Sequence, residues 1–121
     1  MTTVDDTFTR GEKVLREYLG AWNAKREELD PVTATIVENV YGNVWTREGL
    51  TLRERSMLAL AASILLGRPD ELKAHLRGAT NIGIDRKTVQ EMVIQLGHYG
   101  GFPAALDSWR AAKEFFDQKK A

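Results

Sequence analysis

The chain has 121 residues, carries 17 Lys plus Arg against 17 Asp plus Glu, and contains no cysteine. That length fits one domain spanning residues 1–121 with a core of its own. The balanced charge argues against a strong long-range field for nucleic acid or anionic membrane, and the missing thiol rules out disulfides, Cys-ligated zinc and thiol chemistry.

The opening Met1-Thr2-Thr3-Val4-Asp5-Asp6 is acidic and polar, unlike a signal peptide. The longest apolar run, Met57–Leu66, is about half of what a bilayer span needs. The expected location is therefore cytoplasmic, with no membrane partner. Three prolines and a wealth of Ala, Leu, Glu, Lys and Arg predict an all-α fold of six helices.

The first helix is expected from Thr9 to Leu19, with Val14, Leu15, Tyr18 and Leu19 on one face. Asp30-Pro31 reads as an N-cap followed by proline at the first helical position. That second helix should turn Ile36, Val37 and Val40 inward and stop at Gly42. Thr51 and Glu54 have capping-box spacing ahead of a third helix, whose later half is apolar around most of its circumference. Such a helix must be covered on several sides, which predicts a homo-oligomer. Gly67 stops it. A fourth helix opens at Pro69 with Asp70 and Glu71 in its first turn and ends near Asn81 to Gly83. Asp85 caps a fifth, expected through Leu96. Gly100-Gly101-Phe102-Pro103 reads as a break, with a sixth helix from Pro103 to Phe116 and a frayed tail from Asp117.

Few side chains offer chemistry. Glu71 lies four residues before His75, one turn away, so its carboxylate would favour the imidazolium and orient the ring as a proton donor; a half-buried histidine with a surface partner fits the same spacing. Tyr41 and Trp45 suggest an aromatic wall, with Arg47 as a fork for a carboxylate; alternatively Trp45 anchors the loop and Arg47 is solvated. Glu38, three residues before Tyr41, is either a solvated acid or an acid in the same cleft. His98 and Tyr99 precede Gly100-Gly101, which would let the backbone approach a ligand while the helix beginning at Pro103 offers amides to an anion. Phe102, before proline, would then be extended and present its ring; a plain inter-helix turn accounts for the same residues. Arg77 cannot share a face with His75 and suits an interface or a second carboxylate.

Two histidines 23 residues apart give no metal-ligand spacing, and no nucleotide fingerprint or nucleophile elbow is present. Ala79, Gly83, Ile84, Thr88 and Val89 match the corner of a helix-turn-helix, a rival DNA-binding reading. The would-be reading helix carries Glu91 and an apolar set, and the chain has no surplus cations for phosphates. A third reading is an assembly whose site has decayed to an interaction surface.

Segments along nearly the whole chain carry a resemblance: Arg10-Gly11-Glu12-Lys13-Val14, Glu38-Asn39-Val40-Tyr41-Gly42-Asn43-Val44-Trp45-Thr46-Arg47-Glu48-Gly49-Leu50, Arg55-Ser56-Met57, Gly67-Arg68-Pro69-Asp70-Glu71, His75-Leu76-Arg77-Gly78-Ala79 and Tyr99-Gly100-Gly101-Phe102-Pro103. Together they resemble the carboxymuconolactone decarboxylase family, whose fold is of the alkyl hydroperoxidase D-like type. Val-Trp-Thr-Arg and His-x-Arg-Gly-Ala look like its decarboxylase branch. The peroxidase-like branch carries Cys-x-x-Cys where this chain has Arg68 and Glu71, so that redox chemistry is excluded. Tyr41 and Asn43 stand where the decarboxylases are expected to carry tryptophan and glutamate, and His98 is an additional imidazole.

The resemblance implies a six-helix bundle that assembles through apolar helices as a trimer or hexamer. It implies a cofactor-free lyase of aromatic catabolism acting on a small carboxylate or lactone, with an isomerase or ring-opening enzyme as the alternative. On that reading His75, Arg47 and Glu38 are the catalytic set, and Tyr41, Trp45, Arg77, His98, Tyr99, Gly101 and Phe102 bind substrate. Arg47 and His75 are expected to meet across one poorly hydrated hollow.

Overall fold

The structure, a computed structural model, describes residues 4–120, with the side chains of Val4, Asp5 and Lys120 excepted. It is all-helical, with no strand among the described residues. Contacts divide the chain into two compact units, Met1–Leu52 and Arg53–Ala121.

In the first unit α1 covers Val4–Leu19, and α2 covers Pro31–Thr35 and continues without a break as a π-helix, Ile36–Val44. A single 3-10 turn, Arg26–Glu28, lies between them. The Asp30 cap is formed as expected: Oδ1 accepts the Thr33 amide at 2.8 Å and Oδ2 accepts its hydroxyl at 2.9 Å, with Pro31 following. α1 starts five residues earlier than expected and buries Phe8 beside Leu15 and Val37.

Two expectations for α2 fail for one reason. A π-helix closes its hydrogen bonds over one residue more than an α-helix, as in the 2.8 Å bond from the Trp45 amide to the Val40 carbonyl. The wider turn shifts the inward face. Val37 and Gly42 are buried and Tyr41 packs against their cluster, while Ile36 and Val40 are exposed. Gly42 does not end the helix. It lies where α2 crosses α1, and a Cβ there would run into the Thr7 carbonyl oxygen; Gly11 makes the reciprocal approach to the Val37 carbonyl. Glycine at both points lets the two backbones touch.

The second unit contains α3 (Leu52–Leu65), α4 (Pro69–Asn81), α5 (Arg86–Gly100) and α6 (Phe102–Lys120). Its core joins Leu60 and Ile64 of α3, Leu72, Leu76 and Ala79 of α4, and Val89 of α5 to Ala112 and Phe116 of α6. Gly67 (φ 65°) and Gly83 (φ 95°) end α3 and α4 in the left-handed region that favours glycine. Asp85 caps α5, accepting the Thr88 amide at 2.9 Å. Ala79, Ile84 and Val89, the apolar members of the helix-turn-helix-like corner, are completely buried in this core.

The α5–α6 junction differs from expectation. α5 runs four residues past Leu96, and Gly101 alone (φ 97°) redirects the chain. Phe102 opens α6 in helical conformation rather than extended, since proline is tolerated in a helix's first turn. Its ring fills the space where a Cβ on Gly97 would sit, and Gly100 likewise makes room for Leu65. The tail does not fray at Asp117: α6 continues to Lys120, and Asp117 pairs with Arg86 at 2.9 Å. Ala121 and Met1–Thr3 lie outside the described residues.

α3 is only partly covered. Leu60 and Ile64 are buried, whereas Leu58, and Leu66 just past the helix end, are 58% and 72% exposed. No helix among the described residues is long and apolar enough to cross a membrane.

Candidate active site

His75 sits midway along α4, half-buried, with Leu72, Leu76 and Ala79 of the same helix in the core. Its imidazole is held below the ordinary histidine range because burial disfavours the charged ring; Glu71 pulls the other way and is outweighed. The imidazolium expected from the Glu71 spacing is therefore corrected. At neutral pH the ring is mostly neutral, and its N–H is a hydrogen-bond donor that carries no charge.

Arg77, two residues on, is exposed and projects about 200° around the helix from His75. It lines a surface depression with Thr80, Phe115, Gln118 and Lys119 instead. His98 is exposed near the end of α5. Its Nδ1 lies 2.8 Å from the Ile94 carbonyl oxygen, which can only accept, so Nδ1 is the donor of that bond. The Phe102 ring stands edge-on to it at 5.1 Å. Thus His98, Gly101 and Phe102 form one local group, with Tyr99 beside them 81% exposed.

In the first unit the aromatic side chains are in contact. The Tyr41 and Trp45 rings lie 4.9 Å apart, and Trp45 also leans on the buried Tyr18 at 5.0 Å. Trp45 thus anchors the turn after α2. Arg47 follows in that turn with its side chain exposed and its amide bonded to the Val44 carbonyl at 3.1 Å. Glu38 is engaged: its carboxylate pairs with the Arg26 guanidinium, which also stacks on Phe8 at 5.3 Å. Arg47, Glu38, Tyr41 and Trp45 belong to the first unit and the remaining candidates to the second.

Arg10 escaped the reading of chemistry from sequence. Its Nε donates to the Gly42 carbonyl (3.4 Å) and its Nη2 to Asn43 Oδ1 (3.3 Å), contacts 32 and 33 residues away in sequence. Only its place in a segment carrying the family resemblance marked it. No group of three His, Asp or Glu residues placed to hold a metal ion occurs among the described residues.

The profile of the Carboxymuconolactone decarboxylase family matches residues 30–114, from the α2 cap into α6, and the chain belongs to that family. It is 31% identical over 118 residues to a 4-carboxymuconolactone decarboxylase of Acinetobacter baylyi, covering 93% of this chain and 88% of that one. It is 33% identical over 109 residues to the nitrosuccinic acid decarboxylase npaB of Metarhizium robertsii, covering 84% and 75% respectively. An uncharacterized 15.0 kDa protein of Paracoccus denitrificans is 27% identical over 96 residues, 77% of this chain and 72% of its own.

Proposed function

We propose that this protein is a lyase that removes carbon dioxide from a small carboxylated lactone or related enolisable acid without a cofactor. The observation that carries the reading is His75: a half-buried imidazole kept neutral by burial, in a family with decarboxylase members.

Loss of carbon dioxide leaves an electron pair that must delocalise onto a carbonyl oxygen. A donor aimed at that oxygen, in a site poor in water, is worth about 2.7–4 kcal/mol. The neutral His75 N–H fits this task, because it donates a hydrogen bond without bringing a charge that burial opposes. A proton from solvent then replaces carbon dioxide at carbon. Arg47 is assigned to a substrate carboxylate, which a guanidinium fork grips through two parallel bonds. Tyr41 and Trp45 supply an apolar wall against the substrate skeleton. Glu38, paired with Arg26, is assigned to holding that guanidinium rather than to proton transfer. Assembly through the exposed side of α3 is part of the same proposal.

The test is direct measurement of carbon dioxide release from 4-carboxymuconolactone and from nitrosuccinate, the acids named for two relatives. Turnover of either, reduced roughly a hundredfold or more in His75→Gln, is expected. A folded protein that releases none from either acid contradicts the assignment.

A further inference from the structure

A cleft of about 350 Å³ lies within the first unit, bounded by Trp45 and Thr46 on one side and by Arg10, Lys13, Val14 and Glu17 of α1 on the other. That size suits a small-molecule site. The cations are unevenly compensated. Arg10 meets only neutral oxygens, the Gly42 carbonyl and the Asn43 amide, and neither Arg10 nor Lys13 pairs with a carboxylate among the described residues.

Arg10 is also fixed in place. The Gly42 carbonyl that it reaches also accepts the Thr46 hydroxyl at 2.7 Å, and Asn43 is held by its own bond to Asn39 Oδ1 at 3.1 Å. A guanidinium tethered by two neutral acceptors keeps its full charge and has N–H groups to spare. Lys13 lies one turn further along α1, on the same face. Glu17, another turn on, places the one negative charge of the lining at the far end. An anion entering the cleft is therefore drawn toward Arg10 and Lys13.

We infer that Arg10 and Lys13 form a binding site for a second anionic group of the substrate, a carboxylate that is kept rather than lost, against the Trp45 wall. This rests on the decarboxylase reading for the word substrate, but the site itself is open to test by binding alone. Asn43 is its control element: a carboxylate in that position would neutralise Arg10 internally.

The experiment is calorimetric titration of the full chain with succinate and with butyrate, which differ by one carboxylate, neither needing to react. Wild type is expected to bind succinate at least about tenfold more tightly, since a charge-assisted hydrogen bond contributes about 1.5–3 kcal/mol. Lys13→Gln changes an exposed side chain, and Asn43→Glu keeps a partner for Arg10; both should abolish the preference. Equal binding of the two acids by wild type, or a preference that survives both substitutions, overturns the site. If the preference behaves as stated but no acid is decarboxylated, the anion site stands and the lyase reading falls. If turnover occurs with a KM that neither substitution raises, the lyase reading stands and the anion site falls.

Discussion

Glu71 stands one helical turn before His75, yet its carboxylate does not win the imidazole's proton balance: burial lowers the ring's affinity for a proton more than the carboxylate raises it. A titration of the ring by NMR should therefore give a midpoint below the usual histidine value of about 6.5. Glu71→Gln removes the opposing influence and should push the midpoint lower still. A rise in that variant would contradict the assigned balance.

The same shift sets a pH dependence of stability. Around and below pH 6.5 the unfolded chain binds a proton at this histidine more readily than the folded one does, so ΔG of unfolding falls as pH decreases through that value. The loss levels off below the folded-state midpoint. His75→Gln should flatten this part of the curve in denaturant titrations taken between pH 7 and 5. The Asp30 and Asp85 carboxyls act in the same direction at lower pH. Hydrogen bonds from Thr33 and from Thr88 hold them below the ordinary carboxylate value, so their contribution is present above about pH 3.8 and lost as pH falls through the lowered values. Asp85→Ala should lower Tm at neutral pH, with the difference from wild type shrinking as pH falls through the lowered carboxyl value.

Gly42→Ala should be costly and Gly49→Ala harmless. A methyl at position 42 meets the Thr7 carbonyl oxygen where the two backbones cross, so α1 must move, at a cost of about 1–3 kcal/mol. At position 49 nothing lies within 4 Å, and alanine should be neutral or stabilising by up to about 1 kcal/mol. Chemical denaturation of the two variants side by side tests the crossing; equal stabilities would contradict it.

If α3 joins copies of the chain, replacing Leu58 and Leu66 together with serine should shift the particle mass measured by light scattering toward the 13.6 kDa monomer. Both side chains are exposed within the chain, so the core should survive. An unchanged mass would locate the contact elsewhere.

The parts of this structure legible in the sequence are those fixed by neighbours. Asp30 with Pro31, Asp85 with Thr88, Gly67 and Gly83 mark helix ends through contacts within a few residues, and those ends fall where expected. Contacts distant along the chain were not legible. Gly42 looks like a stop until Thr7 is seen behind it, Gly97 and Gly100 look like a loop until Phe102 and Leu65 fill their faces, and Glu38 looks available until Arg26 is found on it. The π-helix is illegible for a further reason: its inward face follows a different period from the one assumed in reading Ile36, Val37 and Val40 as a set. Spacing also gave the sign of Glu71's effect on His75 but not the depth at which the ring lies, and depth decides its protonation.

The central claim is that His75 works as a neutral donor to a developing oxyanion. Measuring kcat/KM for carbon dioxide release against pH, in wild type and His75→Gln, tests it most directly. The expected wild-type profile is flat at and above neutrality and falls toward acid, with a midpoint below about 6.5 that matches the NMR titration. His75→Gln should lose that limb along with about 10²–10³ of the rate. A rate that climbs as the pH is lowered would instead make the imidazolium the working form and contradict the account.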